Sequence, residues 1–213
     1  VVSNPPFGMG DWAREMAWVD PYARFRRGVP PARMADYAFI SHIVESMRSG
    51  TGRSVVVVSH GTLFRGGSEG SIRKALLEDN LVHGVVALPS GLFSATRIPV
   101  ALMVLKSGRE EKRVLFVDAS QNFVTMAGRN YLRGEDVNRI ARIFDESRIE
   151  DEFSNLATPD EIRKNDFNLT VSRYVHHKSE ASRSLTEIWA ESQPIQEELE
   201  EVQGELDALL RRL

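Results

Sequence analysis

The chain has 213 residues, 42% hydrophobic and 27% charged, enough for one globular core with an appendage. It contains no cysteine, which excludes disulfides and thiolate metal sites and suits a reducing, cytoplasmic setting. A net charge of −3 does not mark a general polyanion binder, and the longest apolar run, Ile98 to Leu105, is too short to span a bilayer, so neither a membrane span nor a signal peptide is expected.

In chain order, Val1 and Val2 run without a polar lead-in into Ser3-Asn4-Pro5-Pro6-Phe7, which predicts a fragment entered partway along a buried strand. A Gly-, Pro- and Arg-rich loop follows to about Pro31. Arg24, Arg26, Arg27 and Arg33 cluster there, interleaved with Trp12, Trp18, Tyr22 and Phe25. These side chains read equally well as a DNA-contacting surface or as a solvated loop packed on the body. Ala35, Phe39, Ile43 and Met47 recur on one face and predict an amphipathic helix ended by Gly50. The all-valine run Val55 to Val58 predicts a central buried strand. A Gly-rich loop then leads to a helix over about Ser71 to Asp79, and strands are expected at Val85–Leu88, Val100–Leu105 and Val114–Asp118. Glu135 to Glu146 reads as a helix, Thr158-Pro159-Asp160-Glu161 as a capped helix start, and Asp166 to Val175 as extended.

Apolar strands separated by helices indicate an α/β sheet covered on both faces, and the short connections around the third to fifth strands suggest an antiparallel edge there. The tail differs in kind. From His176 onward four basic side chains face nine acidic ones, leaving a near-neutral body. Ile195, Leu199, Val202, Leu206, Leu209 and Leu213 form a heptad seam, which points to a helical partner.

The opening motif carries the chemistry. Two prolines fix two φ angles and remove two backbone donors, so their carbonyls point in set directions without competing N–H groups. Asn4 adds a side-chain carbonyl acceptor, and Phe7 a flat apolar face for a ring. Such a pair of acceptors suits an aromatic NH2 group, whose lone pair is otherwise delocalised. Gripping both hydrogens aims the lone pair at an electrophile and stabilises positive charge developing on nitrogen. A base within a duplex reaches this geometry only when flipped out.

Asn4-Pro5-Pro6-Phe7, followed in order by Asp36-Tyr37-Ala38-Phe39, Gly61-Thr62-Leu63-Phe64-Arg65-Gly66-Gly67, Ile72-Arg73-Lys74, Leu88-Pro89 with Leu92-Phe93, Phe116-Val117-Asp118-Ala119, and Asn168-Leu169 with Arg173-Tyr174-Val175, resembles the modification subunit of type I restriction–modification systems, a group of N6-adenine DNA methyltransferases. Two stretches depart from the group: Ser59-His60 stands where Pro-Asn or Pro-Asp is usual, and Ala95-Thr96-Arg97 where glycines flank the threonine. The resemblance implies the C-terminal half of a class I, Rossmann-like methyltransferase sheet, mostly parallel with an antiparallel edge, plus a C-terminal helical extension. It implies that Asn4, Pro5, Pro6 and Phe7 are catalytic, with Phe7 stacking the adenine. S-adenosyl-L-methionine is the implied donor, its Gly-rich site expected upstream, so that the fragment has no cofactor-binding residues and is inactive alone. The implied partners are double-stranded DNA, a specificity subunit held by the C-terminal helix, a second modification subunit and a restriction subunit. Residues 1–175 are then the catalytic portion and 176–213 the docking tail.

Three other readings compete. A catalytically silent relative, serving DNA or partner interaction on the same scaffold, has the same pattern. Gly66-Gly67-Ser68-Glu69-Gly70 matches a hydrolase nucleophile elbow, with Asp118 and His176 in order, yet Ser68 stands ten positions beyond Val58 rather than on a turn directly after it. The helix starting near Ser71 could bind an anion with help from Arg65 and Arg73. His42, His60, His83, His176 and His177 have no metal-ligand spacing.

Overall fold

The valine run lies at the centre of a longer strand, and the apolar runs at Val85–Leu88, Val100–Leu105 and Val114–Asp118 supply neighbours in the same sheet. The structure is a computed structural model that describes residues 1–93 and 98–177, together with positions 189 and 193. It divides into two units, Val1–His177 and Lys178–Leu213, and the sheet with all its covering helices belongs to the first. The heptad residues Ile195 to Leu213 and the stretch Ala95-Thr96-Arg97 lie outside the described residues.

The sheet has six strands in the order β1-β2-β4-β3-β5-β8: β1 (Val2–Ser3), β2 (Arg53–Ser59), β3 (Val82–Ala87), β4 (Val100–Lys106), β5 (Val114–Asp118) and β8 (Ser154–Ala157). Strands β1, β2, β3 and β5 run one way. Strand β8 runs against them and makes one edge of the sheet antiparallel. A second reversed strand, β4, is inserted between β2 and β3, a placement that hydrophobic runs alone do not specify. Strands β6 (Val124–Met126) and β7 (Arg129–Tyr131) form a separate hairpin, which was too short and polar for an apolar pattern to reveal.

Alternate side chains build two cores, as a pleated strand requires. On one face Val56, Val58, Met103, Leu105, Val85 and Phe116 meet α1 (Asp36–Ser46), α2 (Gly67–Glu78) and α4 (Pro159–Lys164). On the other, Val86, Leu115 and Val117 meet α3 (Gly134–Glu146) through Ile143 and Phe144. Gly84 lies at a bulge in β3, and a Cβ there would stand 2.8 Å from the Phe144 ring and 2.5 Å from the Leu115 carbonyl, so only glycine lets α3 approach this closely. The second face is not fully covered: Val55, Val57, Leu102 and Val104 are only half-buried, and Val2 is 87% exposed.

The capping box forms as its pattern predicts, the Glu161 carboxylate accepting from the Thr158 N–H at 2.7 Å and Pro159 opening α4. The segment 166–175 is not extended. Asp166 and Phe167 take left-handed φ values, Asn168 Oδ1 accepts from the Thr170 N–H at 2.9 Å, and a 3-10 turn covers Val171–Arg173. Tyr174 is thereby laid flat on Phe116, with ring centroids 3.9 Å apart. Among the described residues no helix is long and apolar enough to cross a membrane.

Candidate functional site

Because β1, β2, β3 and β5 share a direction, their carboxyl ends share one edge of the sheet, where open α/β folds place their sites. Asn4 follows β1, His60 follows β2, Leu88 follows β3, and Asp118 closes β5. The tetrapeptide therefore leaves the sheet at its functional edge, with Ser3 in register with Val56. Asn4 is exposed, and among the described residues no hydrogen bond engages its side chain. Phe7, like Leu92 and Phe93, is partly buried against the cluster of Val86, Leu88 and Val100, which fixes the ring while leaving part of it accessible.

The loop is held from behind. Gly8, at φ 60°, turns the chain so that its N–H donates to Asp36 Oδ2 at 3.2 Å, and the Met9 carbonyl accepts from the Ala35 N–H at 2.9 Å. Asp36 opens α1 and is 5% exposed. Its other oxygen accepts from the Thr62 hydroxyl at 3.3 Å, and Thr62 Oγ1 lies 3.1 Å from Ser59 Oγ. The Arg65 guanidinium lies 3.3 Å from Asp36 Oδ2 and donates to both oxygens of Glu69, at 2.6 and 3.0 Å. Arg73, 2% exposed, donates to the carbonyls of Thr62, Arg65 and Phe167. Tyr37 donates its hydroxyl to the Thr62 carbonyl at 2.9 Å, and burial pushes its pKa up to about 12, so it remains a donor. Three of the stretches that carried the family resemblance, those holding Asp36 and Tyr37, Thr62 and Arg65, and Arg73, thus meet in one buried polar web behind the motif.

This web corrects one expectation. Arg65 and Arg73 point into carboxylates and carbonyls of the fold, so they do not equip the start of α2 for an anion. Nor does the hydrolase reading survive: Ser68 sits in the first turn of α2, not on a strand-to-helix elbow, and Asp118 pairs with His177 at 2.9 Å rather than with His176.

The arginine loop is partly self-satisfied. Arg24 pairs with Asp20 at 2.5 Å, Arg26 with Glu45 at 3.1 Å, and Arg27 with Glu45 and Asp79 at 2.5 and 2.7 Å. The Arg27 side chain is only 6% exposed, whereas Arg26 remains largely open and Arg33 is exposed. Trp12 packs on Phe25 and donates to the Pro31 carbonyl at 2.8 Å, while Trp18 and Tyr22 face outward.

Two groups at the edge titrate abnormally. Burial lowers the pKa of His60 against the opposing pull of Asp118, and its buried Nε2 has no partner among the described residues. Burial also opposes ionisation of Asp118, but hydrogen bonds from Ser120 and His177 outweigh it and hold the carboxyl below its usual value. Among the described residues the junctions at this edge are a proline pair, a 3-10 turn at His60–Leu63, Leu88-Pro89 and Asp118-Ala119.

Sequence reasoning missed Asp36, Thr62, Glu69 and the true role of Arg65 and Arg73. A signal existed. Asp36 precedes buried Ile40 and Ile43 by four and seven positions, and Glu69 and Arg73 share helical phase with Ile72 and Leu76. A charge in the apolar stripe of a helix is a buried group with a partner to find.

A family model described as N-6 DNA Methylase matches residues 1–183. The chain is 33% identical over 183 residues to the type I restriction enzyme MpnII methylase subunit of Mycoplasma pneumoniae, covering 84% of this chain and 34% of that protein. It is 35% identical over 196 residues to the MjaIX methylase subunit of Methanocaldococcus jannaschii, covering 84% and 35%. Among solved structures, the methyltransferase subunit of a type I restriction–modification system from Streptococcus thermophilus superimposes with a TM-score of 0.77 at 34% identity, over 82% of this chain and 37% of that one. The chain thus spans 34 to 37% of the length of these relatives.

Proposed function

Because the chain belongs to the N-6 DNA methylase family, we propose that it is part of a type I modification subunit that methylates adenine N6 in double-stranded DNA. The methyl group comes from S-adenosyl-L-methionine; every step assigned to this chain concerns the adenine. The observation that carries the reading is the exposed, unengaged Asn4 amide beside a rigid proline pair and a partly open aromatic ring, at the carboxyl edge of the sheet.

The flipped adenine stacks on Phe7. Its N6 hydrogens are accepted by the Asn4 side-chain oxygen and a carbonyl of the Pro5-Pro6 pair. This withdraws the lone pair from the ring, aims it at the incoming methyl carbon and stabilises the cationic amine that forms. The surplus proton then leaves to water, so no tuned general base is needed. Exposed Arg26 and Arg33 are placed on the phosphates beside the flipped base. Residues 1–175 form the catalytic portion, and 176–213 a helical tail that docks a specificity subunit. A second modification subunit and a restriction subunit complete the assembly, in the cytoplasm.

The test uses the full-length subunit assembled with its specificity subunit, labelled S-adenosyl-L-methionine and duplex DNA. Digestion and mass spectrometry are expected to find the label as N6-methyladenine. Label on cytosine contradicts the adenine assignment, and no label at all supports a silent scaffold instead.

A further inference from the structure

We infer that Asp36 is a positioning residue for methyl transfer: its buried carboxylate is the anchor that holds the Asn4–Phe7 loop at the geometry the adenine requires. The inference rests on the reading of that loop as the adenine grip. Pairing of β1 with β2 ends at Ser3, and Pro5 and Pro6 have no N–H with which to extend it. The tetrapeptide is therefore a bridge hung between two supports. One is the β1 ladder. The other is the Gly8 N–H on Asp36 Oδ2, reinforced by the Met9 carbonyl on the Ala35 N–H one residue before Asp36.

The second support is itself fixed in three directions. Thr62 holds Asp36 Oδ1 and reaches Ser59 at the end of β2, Arg65 holds Oδ2 and is locked on Glu69, and the backbone of Asp36 belongs to α1. Loop position is thus set by the sheet edge and both flanking helices together. A carboxylate suits the place because it accepts on both oxygens, from an N–H on one side and a hydroxyl on the other. An asparagine can do nearly the same. Its oxygen can face Gly8 while its NH2 faces Thr62, whose hydroxyl turns to accept and then donates to Ser59. An alanine removes the Gly8 bond and leaves only the Met9–Ala35 backbone bond on that side.

This difference sets the test, made on the full-length subunit in its assembled complex. Asp36→Ala is expected to lower the single-turnover methylation rate about 10- to 100-fold, the range for an ångström-scale misplacement of a reacting group. DNA affinity should be unchanged, since Asp36 is buried behind the loop. The fluorescence of 2-aminopurine at the target position, which reports the held flipped base, should fall with the rate. Asp36→Asn should restore most of both. If Asp36→Ala and Asp36→Asn lower the melting temperature alike while the rate per titrated active site stays at the wild-type value, the role is only structural and the inference fails. Asn4→Ala is run in parallel. If it loses activity while Asp36→Ala does not, only the Asp36 assignment falls; if Asn4→Ala keeps full activity, the reading of the loop falls and takes this inference with it. Should Asp36→Ala fail to assemble, amide exchange of wild-type Gly8 decides: slow exchange is expected, and exchange at the rate of a free amide overturns the anchor.

Discussion

Arg73 satisfies three main-chain carbonyls with one buried guanidinium, whereas Tyr37 adds a second donor to only one of them. Tyr37→Phe should therefore cost about 1 kcal/mol, because the Thr62 carbonyl keeps Arg73. Arg73→Met leaves the Arg65 and Phe167 carbonyls without their guanidinium donor and should cost at least about 3 kcal/mol. For a body of this size that separates the melting temperatures, at about 2–4 °C per kcal/mol. Arg73→Lys should not rescue, since an ammonium lacks the planar fork that reaches Phe167 and Arg65 at once. Equal shifts for Tyr37→Phe and Arg73→Met would contradict this picture of the web. At this scale the tetrapeptide proposed to grip the adenine stood out because proline chemistry is local: two missing donors are visible in the sequence itself. Asp36 was not, because an acidic residue opening a helix reads as ordinary complement to the helix dipole. Its partners, Gly8, Thr62 and Arg65, come from two other segments and meet it only in the fold.

Strand β3 carries a built-in acid weakness. His83 is packed edge-on against Phe144, its Nδ1 is buried without a partner among the described residues, and its pKa falls to about 4. Burial is the main cause, and the positive charges of Arg109, Lys106 and Arg53 add to it. Below the ordinary histidine value of 6.5 the unfolded chain binds a proton that folded His83 refuses. Its contribution is thus fully present above pH 6.5 and is lost as pH falls from there toward about 4. His60 adds to the loss in the same direction. His83→Gln, measured by urea midpoints across this window, should flatten the decline; a decline identical to wild type would show that His83 is protonated in the folded state. Strands β2, β4 and β5 were legible as elements, since Val55–Val58, Val100–Leu105 and Val114–Asp118 are nearly continuous apolar runs. Their order was not, because burial on both faces erases the period that would tell a strand its neighbour. The hairpin of β6 and β7 and the edge strand β8 escaped notice for the opposite reason: with three or four residues each, they are too short for a period to register.

At the level of the whole molecule, the chain spans about a third of the relatives it resembles, so its proposed activity is a property of the complete subunit in its complex. The tail is proposed to dock the specificity subunit through the seam of Ile195, Leu199, Val202, Leu206, Leu209 and Leu213, flanked by Glu197, Glu198, Glu200, Glu201 and Glu205. Deleting everything after Gln193 should leave the melting temperature of the α/β body unchanged and abolish co-purification with the specificity subunit. Assembly of the intact subunit should weaken as salt rises, since the acidic flanks favour a basic partner. A truncated subunit that still assembles would show that the heptads serve another purpose. The central claim, that Asn4 accepts from the adenine amine mainly in the transition state, has a more direct test: the single-turnover rate of N6 methylation by the assembled complex, wild type against Asn4→Ala. A loss of about 10²–10³ in rate, or about 3–4 kcal/mol, is expected with little change in DNA affinity; an unchanged rate would contradict the role assigned to Asn4.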